Sequence, residues 1–497
     1  MKKLSIFTAI ALFALSAVGC SDDNSETPAP KGVQVTLQAE CVNPEAKDLN
    51  TRIDINNTKL QWVNGDAIGV YAGGNSNAKF TTAQQDAIAS FTGVLDPAKT
   101  QVGDPVYAYY PYAGGGITLP NVQTQKHLQF GAYTVMTAQG EVKTCETENI
   151  VLSGLRFTAQ TASLRFHVYG SLREVWGNGV SREKIQSVTI KTQEAVNNKV
   201  TFKDGNAIFS QGTDSEMTVN LEKEQAMAYK RESATALMLT VPVQDMTITE
   251  VVITTNQAVY TKTIDKTLTL TAGHIQPIYL NINTCKMVEK EKISVSGTGN
   301  NWSVEESFGG RKGDFFAGMY DYSKHTEFKY RRKTDNNDTW YGFQNEWAIN
   351  FGESSLNGQA NIKNDNLDPK ECYTIVRLWD RAYAAILIKN LELRGSFGGW
   401  NAGEGRMFTF QPEQNLWKIE GLKLTQGDYL KVFVNDGAFA YVTNVDGAEL
   451  NVNTPMACRR SGNTDGGAQK VTTTGTYNVL LDLTCEDQAV LVLEPVK

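Results

Sequence analysis

The sequence predicts an all-β protein made of several sandwich domains, and three observations carry that prediction. Apolar and polar residues alternate in run after run, as in Leu164-Arg-Phe166-His-Val168, Val188-Thr-Ile190 and Leu268-Thr-Leu270, the period of a half-buried strand. The runs are bounded by Gly, Asn and Asp, which supply turns. Helical patterns are scarce: Thr82 to Ser90 and Ser171 to Trp176 are the short candidates, each too brief to carry an architecture. A chain of 497 residues asks for about three or four cores at roughly 100–200 residues per domain. With 47 Lys+Arg against 54 Asp+Glu and a net charge of −7, a general electrostatic grip on nucleic acid or anionic lipid is not expected.

The N-terminus reads as an export and anchoring signal. Lys2 and Lys3 precede the apolar run Leu4 to Ala17, and Ala17-Val18-Gly19-Cys20 follows with small residues before a cysteine. This predicts a signal peptide over 1–19 and lipidation of Cys20, since so short an apolar stretch does not span a bilayer. Residues 20–32 are polar and contain Pro, the composition of a flexible tether. Ser21-Asp22-Asp23 resembles the surface-export signal of Bacteroidetes lipoproteins, which implies a lipid anchor on the extracellular face of the outer membrane.

Seven cysteines are present, and beyond Cys20 the other six (Cys41, Cys145, Cys285, Cys372, Cys458, Cys485) show no C-x-x-C spacing. Zinc ribbons and thioredoxin-type redox sites are therefore not predicted. In an exported chain some could pair, Cys458 with Cys485 for example, or all could remain buried thiols.

Domain joints are expected near Ser153-Gly154, at Lys286 to Lys292, and near Asn390. These give sandwiches over 33–153, 154–285, 290–390 and 391–497. Within the first two, Leu60-Gln-Trp62-Val-Asn-Gly65-Asp66-Ala-Ile68-Gly-Val70-Tyr71, Val106-Tyr-Ala-Tyr109-Tyr110-Pro111-Tyr112 and the closing Leu270-Thr-Ala-Gly273-His-Ile-Gln-Pro-Ile-Tyr279 follow the running pattern of fimbrillin-like Bacteroidetes lipoproteins. The resemblance covers 33–285 and implies a pair of β-sandwiches serving as pilus subunits or surface adhesins. Trp62 and the Tyr109 to Tyr112 cluster are read as core, because large aromatics on alternating strands fill sandwich interiors. In the pilin branch of the family a protease cuts after an early Arg and opens a groove for a neighbour's strand. Arg52 stands in that context, although a basic guard on an edge strand has the same appearance. Pilins of the family end soon after their second domain, whereas this chain continues.

The continuation is an internal repeat. Gly297-Thr-Gly-Asn-Asn-Trp302 and Gly395-Ser-Phe-Gly-Gly-Trp400 open two units about a hundred residues apart, each followed by an aromatic-basic strand. The order resembles the starch-binding outer-membrane lipoproteins SusE and SusF, whose tandem immunoglobulin-like modules hold glycans. A pyranose offers an apolar C–H face to an aromatic ring and a rim of hydroxyls to Lys, Arg, Asn and Asp. The candidate glycan site is thus Trp302, Tyr330, Arg331, Arg332, Lys333, Trp340 and Tyr341, with Trp340 on a polar loop, and Trp400 in the second unit, which lacks the Trp340-Tyr341-Gly342 string. For Trp302 and Trp400 a core role is equally open.

Enzymatic readings lack a scaffold. His127, His167, His274 and His325 stand far apart, no H-E-x-x-H, G-x-S-x-G or P-loop string occurs, and no cofactor or metal is implied. His167, on an alternating strand, is read as a satisfied or solvent-facing histidine. The sequence therefore points to a non-catalytic surface lipoprotein that captures polysaccharide beside a surface transport complex. The alternative is a fimbrial component or adhesin assembled with other fimbrillin subunits by donor-strand exchange after proteolysis.

Overall fold

The structure is a computed structural model that describes residues 32–42, 45–46, 60–114, 116–125, 133–172, 180–203, 205–304, 306–311, 315–334, 337–378, 383–462, 467–484 and 489–496. Cys20, Ser21, Asp22, Asp23, Arg52 and Cys485 lie outside the described residues. The described chain is all-β, with short 3-10 turns and no α-helix. Thr82 to Ser90, expected as a short helix, instead runs as a loop into the strand Ile88–Leu95. There Ala89 and Phe91 are drawn into the core at period two.

The strand Val33–Cys41 lies inside the first sheet. It pairs antiparallel with Ile88–Leu95 from Val33 to Glu40, and parallel with Leu155–Ala159 at Ala39 to Cys41. Val35, Leu37, Ala39 and Cys41 are buried while the residues between them face outward. Trp62 caps this core: its indole N–H donates to the Ala39 carbonyl at 2.9 Å. Its ring meets Phe91, Phe157 and Tyr110 edge-on with centroids 4.9, 5.1 and 5.4 Å apart.

A second core gathers Leu164, Phe166, Ile190, Leu239 and Val251 between two further sheets. The sheets do not divide at the expected 153/154 joint. Val122–Gln125 pairs parallel with Glu216–Ala228, and Ile117–Thr118 pairs with Lys199–Lys203, so segments before the joint complete sheets after it. Conversely Leu155–Ala159 belongs to the first sheet, pairing with Val33–Cys41 and Met136–Glu146. Two buried glutamines fasten the crossing. The Gln123 side-chain amide both donates to and accepts from the backbone of Thr240 (2.6 and 2.9 Å), and Gln125 accepts from the Met238 N–H at 2.6 Å. These bonds satisfy an amide edge that would otherwise be buried unpaired.

Beyond residue 290 the two repeat units share a wall. The strands Glu371–Arg377 and Ala384–Ile388 are buried on both faces, the signature of a sheet covered on each side. Val376, Ala385 and Leu387 join the core of Ile293, Val295 and Phe316. Tyr373, Ile375, Ile386 and Ile388 join that of Leu393, Trp417, Val432 and Leu491. Arg377 (2.6 Å) and Arg460 from the last unit both pair with Glu353 at the rim of this contact. The last unit also packs on the second sandwich through a separate cluster, Leu172 and Tyr229 against Leu416, Leu480, Val490 and Val492, where the Tyr229 hydroxyl donates to Glu494 at 2.6 Å.

Cys41, Cys145, Cys285, Cys372 and Cys458 are free thiols. Cys458, suggested by the sequence as a partner of Cys485, is buried in the last core, and loss of solvation pushes its thiol up to about 12.

Candidate functional site

The strand Glu291–Gly297 ends at a glycine because a Cβ there would fall 2.2 Å from the Glu327 carbonyl on the neighbouring strand. A 3-10 turn over Thr298–Asn300 follows, held by the Gly297 N–H donating to the Asn300 side chain at 2.8 Å. Asn301 and Trp302 then both adopt left-handed backbone, with φ of 51° and 61°. For a bulky residue such as Trp302 this conformation costs about 1–3 kcal/mol and is a feature of ligand clamps and turns under constraint.

The strand Glu327–Thr334 lies beside it. Phe328 and Tyr330 point into the core, so Lys329 and Arg331 emerge on the outer face. Across the hairpin, Arg331 sits opposite Trp340 on the strand Asn337–Tyr341. Four side chains converge there. The Trp302 and Trp340 rings lie 6.3 Å apart at 48°. The Lys329 ammonium stands 5.9 Å from one ring centroid and 6.0 Å from the other, and the Arg331 guanidinium lies 4.4 Å over Trp340. Arg331 also donates to both carboxylate oxygens of Asp338, at 2.8 and 2.5 Å, and to the Trp302 carbonyl at 3.3 Å. Hydrogen bonding to Arg331 holds the Asp338 carboxyl below the usual carboxylate range, and the same pairing raises Arg331. The guanidinium covers one face of Trp340, and the aromatic surface left, with cations beside it, has the chemistry that suits the apolar face and hydroxyl rim of a sugar.

Several residues expected at the site lie elsewhere. Tyr330 is 0% exposed, and its hydroxyl bonds that of Tyr322 at 2.8 Å, which in turn bonds Thr374 at 2.9 Å. Burial pushes both phenols well above their ordinary value. Tyr341 is likewise core, packed against Tyr383 with centroids 5.3 Å apart. Arg332 shares Tyr330's side of the strand, pairs with Glu291 at 3.3 Å and lies 5.8 Å from the Phe316 ring, away from the tryptophans. Lys333 is exposed on the Arg331 side, opposite Asp338 at the hairpin end. Trp340 stands on a strand and not on a loop. His167, read as satisfied or solvent-facing, is buried with Nδ1 unpartnered, and desolvation, aided by Arg165 and Arg231, lowers it to about 4.

The second unit repeats the strand register and the Trp–Lys approach, with one tryptophan in place of two and the lysine more deeply buried. Gly297 pairs with Phe328 and Ser296 with Lys329; Gly395 pairs with Leu430 and Arg394 with Lys431. A Cβ on Gly395 would fall 2.0 Å from the Tyr429 carbonyl, the same constraint as at Gly297. Trp400, 41% exposed, has the Lys431 ammonium 5.6 Å from its ring centroid. It opens on a groove of about 660 Å³ lined by Arg394, Asn401, Tyr429, Lys431 and Asp436. Sequence reading missed Lys329, Lys431 and Asp338. The alternation Phe328-Lys-Tyr330-Arg was the available signal, because it sends one pair in and the other out.

The fold defines a class first: a multi-sandwich β protein whose leading strand is inserted into its first sheet and whose last units carry aromatic-basic platforms. Residues 51–302 match the fimbrillin-like family, and the chain belongs to that family. A stretch of 140 residues is 34% identical to the protein named "Putative fimbrium subunit Fim1C" of Bacteroides uniformis, covering 25% of this chain and 43% of that relative. The chain thus spans less than half the length of the relative it matches. Among solved structures, a "putative cell adhesion protein" from Bacteroides uniformis is 19% identical with a TM-score of 0.33, over 52% of this chain and 96% of that one. The tip fimbrial protein Mfa3 of Porphyromonas gingivalis, truncated at its C-terminus, is 10% identical with a TM-score of 0.28, over 52% and 98%.

Proposed function

We propose that this protein is a non-catalytic surface adhesin or fimbrial component, anchored through Cys20 to the outer face of the outer membrane and able to join other fimbrillin subunits. The supporting observation is the placement of Val33–Cys41. It is hydrogen-bonded along one side, partly along the other, and fills the core with four alternate side chains. Arg52 follows it in sequence and precedes Leu60, so a cut after Arg52 separates that strand from the rest of the chain. Its departure leaves a groove edged by Ile88–Leu95 and Leu155–Ala159, which an extended segment of another subunit can fill by strand addition. The units proposed are an interleaved pair over 33–285, followed by 290–390 and 391–497, which share a wall. The test is N-terminal sequencing of the surface-assembled protein with and without Arg52→Ala. A start at Ile53, and loss of high-mass polymer in the variant, support strand exchange; a start at Cys20 in mature assemblies removes it and leaves the adhesin reading. Cys20→Ala should release the chain from membranes, and retained lipid labelling defeats the anchor.

A second reading, glycan capture by SusE/SusF-like C-terminal modules, is favoured by the repeated Trp–Lys geometry at Trp302 and Trp400. A glycan array with residues 290–497 tests it: bound polysaccharide supports it and a blank array opposes it.

A further inference from the structure

We propose that the cleft between the first sheet and the hairpin formed by Lys199–Lys203 and Asn206–Ser210 is a binding site for a single pyranose ring. On the strand Pro105–Tyr110, Val106 and Ala108 are buried in the core, so Tyr107 and Tyr109 lie on the opposite face, Tyr107 half-buried and Tyr109 buried beneath the hairpin. On the neighbouring strand Ala67–Ala72, Tyr71 pairs with Tyr107 and Gly69 with Tyr109. Gly69 leaves room for the Tyr109 ring to lie across it; a Cβ there would stand 2.1 Å from Cε1. The Tyr109 hydroxyl donates to the Asn77 side chain at 2.7 Å and is also bonded to the Ala113 carbonyl, which fixes the ring as a wall.

The hairpin closes the end of the cleft. Phe202 stacks on Tyr109 with centroids 4.0 Å apart and 24° between planes. At the hairpin turn Gly205 has φ of 77°, and a Cβ on it would fall 2.5 Å from Tyr107 and 3.0 Å from Gln139. The Tyr109–Phe202 stack closes one end by close packing, and beside it, along Tyr71, Tyr107 and Lys203, remains a cleft of about 340 Å³. Tyr71, Tyr107 and Phe202 are only half-buried there, with Thr137 and Lys203 also on the lining.

The chemistry of the lining selects the ligand. Flat rings accept the C–H face of a sugar, while phenol hydroxyls, Thr137 and Lys203 reach its hydroxyl rim. The volume is near the low end of the roughly 300–1,000 Å³ of small-molecule sites, which fits one ring and not a chain. Preformed walls at a junction between packed units are the usual setting for such sites. The cleft lies in the fimbrillin-like half, and its occupancy does not depend on the tryptophan platforms.

The experiment is saturation-transfer NMR on the exported chain carrying Trp340→Ala and Trp400→Ala, with the methyl glycosides of glucose, galactose and mannose as probes. The expected result is transfer to the C–H protons of at least one glycoside, with affinity falling tenfold or more on Tyr71→Leu, which keeps apolar bulk but removes the ring. Phe202→Leu on the hairpin should do the same and decides the matter if Tyr71→Leu does not fold. Absence of transfer to all three probes overturns the proposal, as does transfer that neither variant alters. Binding of tetraproline in place of the glycosides overturns the ligand class.

Discussion

Arg331 and Asp338 face each other across the hairpin that carries Trp340, the guanidinium meeting both carboxylate oxygens at 2.8 and 2.5 Å. The same guanidinium lies over the Trp340 ring, so one ion pair fixes a cation to a platform. Exposed pairs of this kind contribute little to global stability. Their planar two-point geometry instead sets position, which lysine cannot reproduce.

The Asp338 carboxyl is held below its ordinary value, so its contribution is whole above about 3.9, the free aspartate value, and is lost as pH falls through the lowered value. Hairpin order, followed by tryptophan fluorescence from pH 7 downward, should hold until strongly acid conditions and then fall. Asp338→Asn should abolish that acid response and leave the melting temperature near the parent's. An unchanged acid response in the variant would assign it to another carboxylate.

Trp340→Ala in residues 290–497 should weaken glycan binding by about 1–3 kcal/mol, the cost of truncating an aromatic anchor, or roughly five- to 150-fold. Calorimetry measures it. Melting should move little, because the ring is only half-buried on a surface hairpin. Trp400→Ala should lower affinity for a polymer by a comparable factor, since its register with Lys431 matches that of Trp302 with Lys329.

Tyr330 should behave in the opposite way. Tyr330→Ala should cost about 3–5 kcal/mol of stability, as other large aromatic truncations in cores do. Tyr330→Phe should cost about 1 kcal/mol for the lost hydroxyl bond, because Tyr322 keeps its bond to Thr374. Denaturant melts of both variants, with binding per folded molecule unchanged in Tyr330→Phe, would establish it as a core residue; a binding loss without destabilisation would restore it to the site.

The shared wall makes residues 290–390 a poor independent unit. Expressed alone, that segment bares Tyr373, Ile375, Ile386 and Ile388 and should aggregate or bind a hydrophobic dye, whereas 290–497, which bares only the smaller patch of Leu416, Leu480, Val490 and Val492, should do so less. Ile386→Asp should reproduce the defect in the longer segment. A well-behaved 290–390 fragment, by light scattering, would show that the wall is dispensable.

Period-two alternation, turn residues and the Gly-x-x-x-x-Trp repeat were enough for the sequence to determine an all-β chain of tandem sandwiches, and the order of its motifs pointed to the fimbrillin-like family. These are local signals, each written within a few residues of chain. The alternation even carried the division within Phe328-Lys-Tyr330-Arg331, although reading the segment as one aromatic-basic site hid it.

What only the tertiary structure decided depends on contacts far apart in sequence. Val122–Gln125 completes a sheet of the second core, and Leu155–Ala159 one of the first, because pairing partners are chosen by exposed strand edges and not by chain order. Tyr109, read as a core aromatic on an alternating strand, is buried, but on the outer side of its sheet, because Val106 and Ala108 take the inner side and a hairpin nearly a hundred residues later covers it. The Trp302–Lys329 and Trp400–Lys431 platforms arise in the same way, since a one-residue change of register would turn each lysine into the core.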